Sequence, residues 1–132
     1  MTPELRWLVW SVLLGLVHIV AAAVASTRQS PGGLAWAAGP RDQPQPAPSG
    51  VAGRLTRARN NFLETFPLFA AAVLAAHLAG ATGPLTAWGT LVYFWARVVY
   101  LPIYAAGLPW IRSLVWGASI IGLVMVLLAL IA

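Results

Sequence analysis

Nineteen consecutive residues, Trp7 to Ala25, carry no charge, and this run limits the fold more than any other feature. At about 1.5 Å of rise per residue, a helix of that length crosses the roughly 30 Å of a bilayer's hydrocarbon core. The run exceeds the roughly 7–15 apolar residues of a signal peptide, so it reads as a retained membrane span. Beyond Arg112 the chain again carries no charge to its last residue. Of the 132 residues, 60% are hydrophobic and 8% charged, with a mean hydropathy of +0.79. A water-soluble domain carries about a quarter charged residues. So few charges cannot cover a globule in water, and the apolar surface must face lipid.

The expected organisation is a single membrane domain over 1–132, with helices at about 7–26, 54–79, 85–106 and 110–132. Trp7 and Trp10 are placed at headgroup level in the first helix. Residues 29–53 carry Pro31, Pro40, Pro44, Pro46 and Pro48 among glycines. Such proline density blocks helix and sheet, which predicts an exposed connecting loop with polyproline-like stretches. Within it, Leu34, Ala35 and Trp36 are placed to dip into the interface. Pro67 falls inside the second helix, where a packed bundle tolerates a missing donor. Gly80 to Pro84 form an uncharged turn, Pro102 interrupts the third helix, and Gly107-Leu108-Pro109 break it. The fold class is therefore an all-α integral membrane protein, a multi-pass bundle of four transmembrane helices.

All eight basic residues are Arg, and the pI is near 11.2. Arg28, Arg41, Arg54, Arg57 and Arg59 flank or lie in the first connection, and Arg112 follows the third; the second connection has none. Basic residues collect in cytoplasmic loops, which predicts both termini outside. Arg6 is an outer exception partly offset by Glu4. Arginines spaced between apolar spans fit that rule and not the basic patch of a nucleic-acid-binding domain, so no nucleic-acid partner is expected. The absence of Cys excludes disulfides and a protein thiol nucleophile. Neither His18 nor His77 has a second His or a carboxylate at ligand spacing, so no metal is expected. His18, mid-span, is expected to hydrogen-bond across the bundle, and His77 to reach the interface.

Charged groups inside spans are costly and face the bundle interior or a wet cavity. On the second helix Arg57, Asn61 and Glu64, four and three residues apart, share one face. On the third, Tyr93, Arg97, Tyr100 and Tyr104 repeat at four, three and four and form another stripe. The two stripes lie toward the same end of antiparallel helices and can converge on one polar pocket. Guanidiniums, one carboxylate, an amide and phenols suit a small zwitterion with more than one carboxylate. The other reading is structural: Glu64 and Arg97 pair with each other and lock the bundle. Arg41, Arg59 and Asn60 read as solvated or headgroup-facing, and Trp88, Trp110 and Trp116 as interface or packing residues. Gly117, Ala118 and Gly122 permit close helix contact between copies.

The segment from Arg54 to Phe69, RLTRARNNFLETFPLF, resembles the signature of the MAPEG family, the membrane-associated proteins of eicosanoid and glutathione metabolism. Its Arg, Ala, Asn and Glu, followed by Pro-Leu-Phe, fall in the family order. Val92 to Tyr100, then Tyr104 and Arg112-Ser113, are similar to a second family motif. This resemblance implies a homotrimer of four-helix subunits in a membrane, of the bacterial type and so expected in a bacterial inner membrane. It implies glutathione as co-substrate, bound between subunits near the cytoplasmic side. By motif position Arg57, Asn61 and Glu64 would hold glutathione, with Glu64 facing its amino group. Arg97, Tyr100, Tyr104 and Ser113 would line the same site, and Arg28 resembles the family's arginine at the end of the first helix. Arg112 would sit by the thiol, where a nearby cation favours thiolate. Thr65 stands where leukotriene C synthase has Tyr, and the first loop is longer and richer in Pro, which argues against an eicosanoid substrate.

The implied activity is a glutathione-dependent transferase or peroxidase acting on a lipophilic small molecule drawn from membrane lipid. A non-catalytic glutathione- or lipid-binding protein on the same scaffold is the second reading. A small four-helix transporter is the third; it would need a proton-carrying carboxylate in the membrane, and the first helix has none.

Overall fold

The computed structural model describes residues 1–132, and the chain is helical with no strand. The elements are α1 (Pro3–Gln29), α2 (Gly33–Ala38), α3 (Gly50–Leu78), α4 (Pro84–Ala106) and α5 (Pro109–Ile131). By length and composition α1, α3 and α5 are each able to cross a membrane. Two helices begin earlier than the apolar runs imply. Thr2 caps α1 by accepting from the Leu5 N–H at 3.3 Å, with Pro3 in the first turn, and α3 starts directly after Ser49. Hydropathy marks the lipid-facing stretch, whereas capping chemistry sets where the backbone starts to coil.

Both internal prolines lie inside unbroken helices, and α4 runs on past Pro102 to Ala106. There Gly107 takes a left-handed conformation (φ 77°), and the Leu108 N–H returns to the Ile103 carbonyl at 3.3 Å. Only glycine enters that conformation without cost, so Gly107 ends α4, and Pro109 starts α5 two residues later.

The long connection is not the plain linker expected from its prolines. It contains α2, and its polar groups are tied down. The Gln29 amide bonds the Ser49 backbone in both directions, at 2.9 and 2.8 Å. Gln45 Oε1 accepts from Ser30 Oγ (2.6 Å) and the Gly32 N–H (2.9 Å). The Trp36 indole N–H donates to the Gln43 carbonyl at 2.6 Å, and the Arg41 guanidinium lies 5.6 Å from its ring centre. Proline blocks regular structure, but side-chain amides can still fix such a loop.

The interior gathers Leu8, Phe69, Ala72, Val73, Ala76, Tyr93, Leu123 and Val126 from all four long helices. In lipid no hydrophobic force drives helices together, so small residues and internally bonded hydroxyls make the contacts. Buried Ser11, Thr90 and Ser119 each donate to a carbonyl of their own helix. Helices α4 and α5 meet at Gly89 and Gly122: a Cβ built on Gly122 would lie 2.6 Å from the Gly89 carbonyl oxygen. The close approach expected between copies at Gly122 is thus made inside one chain, and Gly117 has open space beside it. His18 is buried and stacked on Phe62, with ring centres 4.8 Å apart. Neither of its nitrogens finds a partner in the bundle, so the expected cross-helix bond is not made. Glu4 is buried as well; its carboxylate accepts from the Thr86 hydroxyl at the end of the bundle far from the arginine cluster.

Candidate functional site

The first half of α3, the second half of α4 and the first turns of α5 enclose one polar cavity of about 370 Å³. It is lined by Arg57, Asn60, Asn61 and Glu64 from α3, Tyr100 and Tyr104 from α4, and Arg112, Ser113 and Trp116 from α5. Positions 57, 60, 61 and 64 are one face of a helix, and 112, 113 and 116 are another. The two faces point at each other because α4 reverses the chain between them.

Tyr104 stands between two cations. Its hydroxyl accepts from Arg57 Nε at 3.3 Å, and the Arg112 guanidinium lies over its ring with Cζ 4.7 Å from the centre. Both guanidiniums are held at the cavity edge with N–H groups to spare. Glu64 is exposed into the same space and is the one carboxylate lining it. The cavity therefore offers cations on two sides and a single anion, a charge pattern suited to a zwitterion with an excess of negative charge.

Arg97 does not line the cavity. It is fully buried behind Asn61, donating from Nη1 to Asn61 Oδ1 (2.6 Å) and from Nη2 to Thr65 Oγ1 (2.7 Å). Its guanidinium carbon lies 5.0 Å from the Tyr100 ring centre, 5.8 Å from that of Tyr93 and 6.0 Å from that of Phe62. Aromatic faces and two neutral acceptors thus receive the buried charge, and its hydrogen bonds do not go to Glu64 as the structural alternative required. One consequence is directional. Arginine has donors only, so the Asn61 atom facing it is the oxygen. The Asn61 NH₂ is left to point toward the cavity as a donor.

The tyrosines of the α4 stripe are all buried but meet different partners. Tyr100 and Tyr104 line the cavity, whereas Tyr93 is stacked on Phe69 at 3.8 Å and bonded through its hydroxyl to Thr65 at 3.0 Å. Thr65 thereby links Tyr93 to Arg97, a role its short side chain permits. Arg28 lies elsewhere, exposed in a groove with Ala21, Val24, Gln29 and Val51 on the α1–α3 face.

Asn60 and Trp116 also line the cavity. Asn60 is exposed, in keeping with a solvated position, and it follows Arg57 by three and precedes Glu64 by four, spacing that places it on their face. Its Oδ1 accepts from Arg59 Nη2 at 3.0 Å, which joins a third arginine to the rim. Trp116, an interface or packing residue by its type, is exposed and lies one turn beyond Arg112. In both cases helical spacing carries the signal for a place at the cavity.

Comparison with curated proteins finds no match. The sequence profile of the MAPEG family, by contrast, matches residues 7–132, nearly the whole chain. MAPEG proteins are membrane proteins, in keeping with three helices long and apolar enough to span a bilayer. With its all-helical bundle and a profile match of that extent, this chain belongs to the MAPEG family.

Proposed function

We propose that the cavity binds glutathione and activates its thiol for attack on a lipophilic electrophile or a lipid hydroperoxide. The observation that carries this reading is that Arg57, Glu64 and Arg112 line one cavity. Glu64 receives the ammonium group, Arg57 and the Asn61 NH₂ receive carboxylate, and Arg112 stands by the sulfur. A cation beside a thiol favours the thiolate, which is the nucleophile. In conjugation the sulfur forms a bond to the electrophilic carbon as the leaving group departs. In peroxide reduction the O–O bond breaks, the lipid leaves as an alcohol, and a second glutathione completes a disulfide with release of water. Family membership favours this chemistry, since the family includes glutathione transferases and peroxidases.

The same reading takes all four long helices as membrane spans. The cavity joins the starts of α3 and α5, so if both cross the bilayer from that end, α4 must cross back between them. Trp88, Trp95 and Val99 give α4 an exposed apolar face for lipid. Arg28, Arg54, Arg57, Arg59 and Arg112 gather at the cavity end, which makes that end cytoplasmic and leaves both termini outside. Glutathione would then enter from the cytoplasm and the lipophilic partner from the bilayer. Arg28 lies in a groove apart from the cavity; a homotrimer would bring it to the cavity of a neighbouring copy.

The test is a glutathione titration of the purified protein, following thiolate absorbance near neutral pH. A saturable thiolate signal is expected, and Arg112→Ala is expected to reduce it about tenfold while leaving most of the affinity, because one cation beside sulfur moves a pKa by about one unit or more. Binding without thiolate would indicate a carrier, and no binding at all would reject the reading.

Arg97 supplies a separate prediction. Arg97→Met removes the donor that orients Asn61, and glutathione affinity is expected to fall about tenfold, the worth of one hydrogen bond. Arg97→Lys keeps a buried donor and is expected to recover part of it. Equal affinities in isothermal titration for the wild type and Arg97→Met would remove Asn61 orientation from the binding account.

A further inference from the structure

Beside the main cavity, toward the α4–α5 turn, lies a smaller cleft of about 160 Å³ lined by Arg54, Arg57, Tyr104, Arg112 and the turn residues 107–109. It has three guanidiniums and no carboxylate. Arg54 is the residue the glutathione reading leaves unused. Its Nε donates to the Ala105 carbonyl at 2.8 Å, which lays the guanidinium across the turn. A Cβ built on Gly107 would lie 3.7 Å from Arg54 Cδ and Nε, ordinary contact distance, so the turn and the arginine pack directly. This tether leaves the two Nη groups of Arg54 for an outside acceptor.

Two more features act in the same direction. Helix α5 begins at this turn with no side-chain cap, so its first N–H groups and the positive end of its dipole lie beside the arginines. On the outer side of the same helix end, Trp110, Ile111 and Leu114 are exposed, Trp110 and Leu114 by more than seven-tenths. An anion held by the arginines would thus sit at headgroup level with apolar surface running away from it along α5. Free phosphate makes no use of that apolar surface, whereas acyl chains do.

We propose that this cleft binds the phosphate of an anionic membrane phospholipid, with Arg54 as the residue that distinguishes it from the glutathione cavity. The site stands apart from the glutathione reading and depends on the seat of the bundle in a membrane. Arg57 and Arg112 line both spaces, so lipid binding is to be measured with glutathione absent.

The full-length protein is placed in nanodiscs containing phosphatidylglycerol and phosphatidylcholine in equal amounts, then released, and the retained lipid is counted by native mass spectrometry. The wild type is expected to retain phosphatidylglycerol over phosphatidylcholine by at least about fivefold, the effect of one basic side chain at the membrane surface. Arg54→Gln is expected to lose about that factor, and Arg54→Lys, which keeps the charge, to retain it. Thiolate absorbance with added glutathione, measured separately, is expected to be the same in Arg54→Gln as in the wild type, so failure of either assay leaves the other interpretable. Equal retention of the two lipids by the wild type would overturn the proposal, and this comparison stands even if Arg54→Gln does not fold. Loss of the preference on adding millimolar inorganic phosphate would assign the cleft to free phosphate and overturn it too. Unchanged preference in a folded Arg54→Gln would do the same.

Discussion

Gly122→Ala is expected to destabilise the bundle by about 3 kcal/mol or more, at or beyond the upper end of ordinary overpacking. The added methyl would stand 2.6 Å from the Gly89 carbonyl oxygen and 2.7 Å from the Tyr93 nitrogen. Both are backbone atoms, so no side chain can rotate away and α4 must separate from α5. The reverse contact is as close, since a Cβ on Gly89 would lie 2.7 Å from the Gly122 carbonyl oxygen. The effect should reach the cavity, because α4 carries Tyr100 and Tyr104 and α5 carries Arg112. Gly117→Ala is the control: nothing lies within 4 Å of its Cβ, and alanine favours helix over glycine. Reversible unfolding in mixed micelles measures both. A midpoint for Gly122→Ala no lower than that for Gly117→Ala would mean that the two helices are not in backbone contact.

Arg57→Ala is expected to lower glutathione affinity by about a hundredfold, the consequence of removing one partner of a partly desolvated, hydrogen-bonded ion pair. Arg57 projects from the first third of α3, which is packed on its other side through Ala58 and Phe62. Its removal should therefore leave helicity and oligomeric state unchanged. Glu64→Ala is expected to weaken binding too, and glutathione lacking its amino group should lose affinity for the wild type but not for Glu64→Ala. Calorimetric titration of the four combinations decides the point: equal losses in both proteins would remove Glu64 from contact with the amino group. Retained binding in both Arg57→Ala and Glu64→Ala would place glutathione elsewhere, whatever the lipid result at Arg54.

Much of this protein was legible in one dimension. The scarcity of charge and the long uncharged runs require helices that satisfy their own backbone and face lipid. Helical spacing alone put Arg57, Asn61 and Glu64 on one face, because the 3.6-residue period is a property of the backbone and not of its surroundings. The end of α4 was legible as well, since Gly107 and Pro109 act through their own covalent geometry.

Depth was not legible. The α4 stripe reads as four equivalent positions, yet, although packing buries all four, only Tyr100 and Tyr104 line the cavity. Which part of a stripe is covered depends on where a neighbouring helix crosses it, a long-range fact with no local signal. The same holds for Arg97, whose bonds go to Asn61 and Thr65 and not to Glu64. Sequence identifies the charged groups, but geometry within a few ångströms selects their partners. The proline-rich connection shows the converse. Its local chemistry forbids regular structure over most of its length, and only the tertiary meeting of Gln29 with Ser49 and of Gln45 with Ser30 fixes it. Sequence alone thus determined the class of solvent, the helices and the faces they present, because each follows from composition and a short-range period. The tertiary structure decided which polar groups meet, which are buried and which remain free for a ligand, because those depend on residues brought together from distant parts of the chain.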